Sequence, residues 1–236
     1  ENLGTIHDLF LDHVSVTGDQ NTAAVCAYNG GTLENLTVAG SIEAKDFAAG
    51  IFAASLPMKE EDETLSKLVN HAKVTADGTA AGIVAQTKEK VLLEDCVNTG
   101  VIEAAVAAGI TTAECENLVL MRCQNYAPII SSDNESYGIT SNLTANLTDC
   151  VGVSENVYPI AADANESENC LYFISGGEKL EDALLADIRD ISLTIGETDA
   201  NGSYREYPFV KASEKQLQNL IKHQSVDVPV FPSSSF

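Results

Sequence analysis

The chain has 236 residues, with 13 Lys and Arg against 35 Asp and Glu, a formal net charge of −22 and a pI near 4.3. That charge repels a phosphate backbone and an anionic bilayer surface, which argues against nucleic-acid binding and lipid docking. No stretch reaches the roughly 20 apolar residues of a membrane span, no basic segment followed by an apolar run opens the chain, and 44% apolar residues suffice for a real core.

One phrase recurs along the first two thirds of the chain: Ala23-Ala24-Val25, Ala48-Ala49-Gly50-Ile51, Ala80-Ala81-Gly82-Ile83, Ala107-Ala108-Gly109-Ile110 and Tyr137-Gly138-Ile139, with a weaker echo at Tyr158-Pro159-Ile160. The aliphatic positions of this phrase are spaced by 26, 32, 27, 29 and 21 residues. Between the phrases an aliphatic residue is followed three later by Leu or Cys: Ile6/Leu9, Leu33/Leu36, Leu65/Leu68, Leu93/Cys96, Leu120/Cys123 and Leu147/Cys150. Another aliphatic stands six residues further on, at Ile42, Val74, Ile102 and Ile129, and the first copy needs a one-residue slip to place Val16 there. The chain is a repeat array.

Each copy holds short β-branched runs punctuated by Gly, Asn and small residues, with no 3.6-residue periodicity. A unit of about 27 residues cannot bury its own apolar face, but stacked units share a continuous core. The expected fold is all-β, a right-handed parallel β-helix of about six coils, its hand following from the handedness of parallel crossovers. At roughly 4.8 Å per coil the stack would be roughly 29 Å long. Insertions collect at one corner, where Lys59-Glu60-Glu61-Asp62-Glu63 is expected to form a solvated protrusion.

Stacking turns each repeat position into a column. Leu36, Leu68, Cys96, Cys123 and Cys150 form one, which Cys170 extends in a shorter last coil. The thiols replace Leu at the coil period and show no metal-ligand spacing, so they read as reduced core residues. Cys26 and Cys115 lie off this column, and their pairing stays open. Two residues later, on the same face, stand Asn70, Asn98 and Asn125, a ladder whose amides would bond coil to coil. One residue before the column, Lys67, Asp95, Arg122 and Asp149 alternate in sign, as an exposed in-register stack prefers.

The phrases Tyr28-Asn29-Gly30-Gly31-Thr32-Leu33-Glu34-Asn35-Leu36-Thr37-Val38 and Asp95-Cys96-Val97-Asn98-Thr99-Gly100-Val101-Ile102, each leading to Ala-Ala-Gly-Ile, resemble the GLUG-type repeats of bacterial surface proteins. That resemblance covers residues 1–174 and implies a pectin-lyase-like right-handed β-helix exposed outside the cell. Its motifs are structural and carry no catalytic residues across. The chain departs in using Ala-Ala-Gly for Gly-Gly and in losing the pattern after residue 140. It opens in mid-pattern at Asn2-Leu3-Gly4-Thr5-Ile6, so a fragment of a longer protein, lacking its signal peptide, is expected.

The repeats span 1–175, and a capping segment with α+β texture follows over 176–225. There Leu180, Leu184 and Ile188 mark an amphipathic helix over Glu178 to Asp190. Ile191–Ile195 and Tyr204–Val210 flank an Asn201-Gly202 turn, and Ser213 with Gln216 opens a second helix reaching about His223. Residues 226–236 read as an extended tail.

Parallel β-helices include polysaccharide lyases and hydrolases, which need carboxylates placed across a groove or beside a basic residue. The acids here form no distinctive cluster, His7, His13, His71 and His223 lack partners at motif spacing, and the content of aromatic residues is 6% without Trp. No catalytic residue, metal or cofactor is expected. The candidate binding residues are Tyr126, Tyr137, Tyr158 and Tyr172, one in each of several late coils. The favoured reading is a non-catalytic stalk or adhesion module of a bacterial secreted or surface protein, with host glycans, a polysaccharide or another surface protein as partner. The alternative is a carbohydrate-active enzyme whose site is spread over several coils. Arg122→Glu should lower the melting temperature by placing like charges in register, each such surface pair being worth about 0–1 kcal/mol; an unchanged melting temperature counts against the register.

Overall fold

A computed structural model of the chain describes residues 1–56, 64–87, 90–113, 118–153, 158, 160–162, 164–168, 170–173, 197–198, 204–205 and 210–211. These residues build an all-β parallel solenoid of about five turns, with no helix among them. The Lys59–Glu63 protrusion, the two helices expected after residue 176, and the tail over 226–236 lie outside the described residues. Two features of the C-terminal quarter are described. Glu197–Thr198 pairs antiparallel with Tyr204–Arg205, and Val210–Lys211 adds in parallel to Leu171–Tyr172, while the Ile191–Ile195 run and the Asn201-Gly202 turn lie outside the described residues.

The repeat register is the strand register. Leu9 pairs with Leu36, Leu36 with Leu68, Leu65 with Leu93, Leu93 with Leu120, and Leu120 with Leu147. The aliphatics of the recurring phrase are joined along the stack by backbone bonds. Val25 N–H donates to Ile51 C=O at 3.1 Å, Ile83 to Ile110 at 2.9 Å, Ile110 to Ile139 at 3.0 Å and Ile139 to Ile160 at 2.9 Å. These columns are the core: Leu33, Leu36, Leu68, Leu93, Leu120 and the phrase isoleucines are fully buried. Among the described residues no Asp, Glu, Lys or Arg is buried.

Strict alternation would put inward residues two apart, yet the sequence spaces them by three at Ile6/Leu9 and its equivalents. The residue between supplies the reason. Asp8, Asn35, Lys67, Asp95, Arg122 and Asp149 all take left-handed backbone, with φ of 53–54°. One left-handed residue per turn reverses the local pleat, so both flanking apolar residues face the core. What the sequence presents as a charge column is therefore also a corner of the coil. Asn and Asp tolerate this conformation better than other non-glycine residues, because their short polar side chains bond locally.

The slip inferred for the first copy is a β-bulge. Leu11 pairs with Val38 but Val14 with Gly40, and the extra residue includes His13 in left-handed backbone at φ 54°. Val16 then meets Ile42. A second break follows Ala104, where Ala104 pairs with Ser131 but Val106 with Glu135. Asn134 takes φ 62° there, and the Ser131 hydroxyl accepts the N–H groups of Asp133 and Glu135 at 3.1 and 2.9 Å while donating to Ala105 C=O at 2.5 Å.

The left-handed corner costs an ordinary L-residue roughly 1–2 kcal/mol. Lys67→Asn should recover about 0.5–1 kcal/mol of that, because the Lys67–Glu34 pair it gives up is exposed and 3.5 Å long. Urea unfolding of the variant measures it, and a lower midpoint refutes the account of the corner.

Candidate functional site

The residues singled out for their chemistry fall into four groups, and the stack places each differently. The first is the amide ladder. Asn70 Nδ2 donates to Asn98 Oδ1 at 2.8 Å, and Asn98 Nδ2 donates to Asn125 Oδ1 at 2.7 Å. Each amide also closes over its own chain two residues on. Asn98 Nδ2 donates to Gly100 C=O at 2.9 Å while Asn98 Oδ1 accepts Gly100 N–H at 3.3 Å, and Asn70 and Asn125 do the same with Ala72 and Ala127. Asn98 thus has both amide donors and two acceptor sites used, which lets it be fully buried without an orphaned group.

The ladder explains the glycines of the recurring phrase. A Cβ on Gly50 would stand 2.1 Å from Gly82 O and 2.5 Å from the Asn70 amide carbon. On Gly82 it would meet Gly109 O at 2.1 Å and Asn98 at 2.7 Å, and on Gly109 it would meet Gly138 O at 2.1 Å and Asn125 at 2.4 Å. Ala24 holds the equivalent position in the first turn, where the following turn carries Val38 in place of Asn. At these three joints the Gly of one turn lies against both the backbone carbonyl and the Asn side chain of the next.

A second, shorter amide ladder joins the first two turns. Asn2 Nδ2 donates to Asn29 Oδ1 at 2.7 Å at another corner, and the amides close onto Gly4 and Gly31. The same column continues through Ser55 to Thr87, whose hydroxyls are hydrogen-bonded. Its signal was present as Asn-x-Gly at Asn2-Leu3-Gly4 and Asn29-Gly30-Gly31, the spacing that Asn98-Thr99-Gly100 also uses.

The second group is the thiols. Cys26, Cys96, Cys123, Cys150 and Cys170 are free and buried, and Cys115 lies outside the described residues. Cys96, Cys123 and Cys150 thiols point at backbone carbonyls, at 3.5 Å to Glu94, Leu93 and Leu120 respectively. Burial, with a lesser effect of the neighbouring thiols, holds Cys123 well above the ordinary thiol range; for Cys150 the bond to Cys123 is the larger cause. Burial pushes Cys26 up to about 11. Such thiols are not poised as nucleophiles.

The third group is the corner charges. Arg122 Nε donates to Asp95 Oδ1 at 2.6 Å, Nη2 donates to Asp95 Oδ2 at 3.1 Å, and Nη2 also bonds Glu94. These bonds, Asp95 first, raise the guanidinium pKa still further. Lys67 pairs with Glu34 one turn back. Asn35 bonds Asp8 at 2.5 Å, which with His7 holds the Asp8 carboxyl below its usual range. A parallel column at the next corner pairs Lys45 with Asp19, and Lys73 reaches Glu103 at 2.9 Å.

The tyrosines do not form one face. Tyr137 and Tyr158 are brought together, their rings stacked 4.9 Å apart and 8° from parallel. Tyr137 is buried, and its hydroxyl is pushed up to about 12 by burial, with Glu135 and Tyr158 adding. Tyr126 is only 2% exposed and donates to Gln124 Oε1 at 2.8 Å, so it offers no ring face for a sugar. The side-chain surroundings of Tyr172 lie outside what is described. Of the histidines, His7 and His13 bond the adjacent Asp8 and Asp12, His71 bonds Thr99 and is held below the usual imidazole range by burial, and His223 lies outside the described residues.

Among the described residues no three His, Cys, Asp or Glu side chains are grouped to hold a metal ion, and no helix is long and apolar enough to cross a membrane. Comparison with family models, curated proteins and solved structures finds no match to this chain.

Gly82→Ala should destabilise the fold by about 3 kcal/mol or more, since both obstructing groups are held in the stack. Guanidinium unfolding gives the value. A cost below that of an ordinary surface substitution would show that the Asn–Gly pairing is dispensable.

Proposed function

We propose that the chain is a non-catalytic module of a bacterial secreted or cell-surface protein, a stalk or ligand-presenting surface built on a right-handed parallel β-helix with GLUG-type repeats. In this reading about six coils are closed by a small α+β segment over 176–225. The observation that carries it is where the polar groups are spent. The inward amides satisfy one another and their own backbone, the thiols are core, and Arg122 is committed to Asp95 and Glu94. The groups from which a site would be assembled serve the joints between turns. The other acids among the described residues lie outside the buried core and give an exposed rod a hydrated, mutually repelling coat. The partner in this reading is a glycan, a polysaccharide or another surface protein, met along the flank of the rod.

A glycan array run beside polysaccharide-degradation assays tests this. Retention on a subset of glycans with no release of reducing ends or unsaturated products is the expected result. Turnover that disappears when outer carboxylates are replaced by amides would establish the enzyme reading instead.

A further inference from the structure

We infer that Cys96, Cys123, Cys150 and Cys170 are a disulfide-forming column, in which a small-molecule disulfide converts thiols of successive turns into staples between those turns. The strand register sets the pairs. Glu94 and Val97 lie opposite Met121 and Gln124, which brings Cys96 against Cys123. Met121 and Gln124 lie opposite Thr148 and Val151, and these opposite Glu168 and Leu171, so Cys150 and Cys170 continue the line. Cys123 bonds the thiols of both Cys96 and Cys150, and Cys150 bonds that of Cys170. Facing residues on neighbouring strands are roughly 4.8 Å apart, inside the Cα separation of about 4.4–6.8 Å that a disulfide spans. Leu68 stands on the other side of Cys96, and Cys26 faces Phe52. Among the described residues the register therefore offers these thiols no pairing outside the line.

Packing alone does not call for thiols here, because Leu36 and Leu68 fill the same column and are fully buried. Four in succession put sulfur beside sulfur at three joints. In the closed stack all four are at most 3% exposed. Burial holds Cys123, and the bond to Cys123 holds Cys150, well above the ordinary thiol range, so the closed stack is inert toward an oxidant. The reaction belongs to the stage at which turns are being laid down or a joint stands open. One cysteine thiolate attacks the S–S bond of the oxidant, forming a mixed disulfide and releasing one thiolate. The facing thiolate of the next turn attacks the cysteine sulfur of that mixed disulfide, closing the staple and releasing the second half. Two cysteines lose two electrons, the oxidant becomes two thiols, and the two cysteine protons end on them. A line of four sulfurs closes either as Cys96–Cys123 with Cys150–Cys170, or as Cys123–Cys150 between two remaining thiols. An oxidising exterior as the place for this rests on the surface role proposed above, whereas the pairing rule rests on the register alone.

Refolding the full reduced chain from urea with oxidised and reduced glutathione, then acid quenching and peptide mapping, reads the pairs. Cys123 should be recovered joined to Cys96 or Cys150, each 27 residues away. Held in urea with the same glutathione couple, the chain should instead favour Cys115–Cys123, since closing 8 residues is roughly sixfold easier than closing 27. Three outcomes of refolding overturn the inference: Cys115–Cys123 as the main product, a pair that skips a turn such as Cys96–Cys150, or a column left wholly reduced. Cys123→Leu, which repeats the residue at Leu68, splits the line, so Cys150–Cys170 should still form while Cys96 stays a thiol. A Cys96–Cys150 bond in that variant refutes the pairing rule. Should it not fold, Cys96→Leu confines Cys123 to Cys150, and a Cys115–Cys123 product again decides against the rule. Glycan results leave this outcome untouched, and a column that stays reduced leaves the proposed surface role standing.

Discussion

Everything in this molecule follows from a spacing. In a parallel stack, each side chain has as its nearest non-local neighbour the side chain at the same position one turn away, roughly 4.8 Å off. A residue type is admitted to an inward column only if it tolerates its own kind at that distance. Aliphatics and thiols do so by packing. Carboxamides do so because one group carries both donor and acceptor, so that identical neighbours complement each other. Carboxylates and ammonium groups cannot, and among the described residues none is buried. Among the described residues the charged side chains are therefore displaced to the outside by the architecture. Where acids would still stack, as at Asp8, Asp19 and Asp95, an Asn, Lys or Arg is interposed one turn on.

The amide solution carries a steric condition. The next turn's backbone carbonyl, at 2.1 Å, and the flat carboxamide beside it together leave no space for a methyl group at Gly50, Gly82 and Gly109. Where the column carries Val38, the partner position carries Ala24. The recurring phrase and the Asn ladder look like separate motifs in the sequence, about 15 to 20 residues apart. In the fold they are two halves of one joint between successive turns.

Much of this was readable from spacing alone. The interval of 27 residues between Cys96, Cys123 and Cys150 gave the turn, and the slip needed at Val16 marked a real bulge. The left-handed corner was less accessible, because Lys67 and Arg122 occupy it and neither residue type advertises that backbone; only the recurring gap of three between inward residues betrays it. Position in a column also says nothing about how a side chain lies once it leaves the sheet. Tyr126 belongs to a different position from Tyr137 and Tyr158, and it is buried with its hydroxyl on Gln124. The Asn2–Asn29 ladder was hidden for another reason. It sits at a different corner from the Leu/Cys column, and its period is broken after Asn29 by Ser55 and Thr87.

The same spacing bears on catalysis. An active site needs unlike groups converging on one point, a base beside a nucleophile or an acid across from a second acid. In-register stacking delivers the opposite, like groups repeated along a line. Unlike groups do meet across turns, as at Arg122 with Asp95 and Glu94, and the register itself breaks at two places among the described residues. At the first, His13 projects from the bulge and its ring faces Asp12 at 3.4 Å on the open surface. At the second, the Ser131 hydroxyl, the group best suited to reactivity, is consumed by the N–H groups of Asp133 and Glu135 and by Ala105 C=O, holding its own insertion in shape. A hydroxyl that must release three backbone contacts before it can act is part of the scaffold. At the second break the side chain best suited to react is occupied in holding the insertion in shape, while the His13–Asp12 pair at the first lies open to solvent.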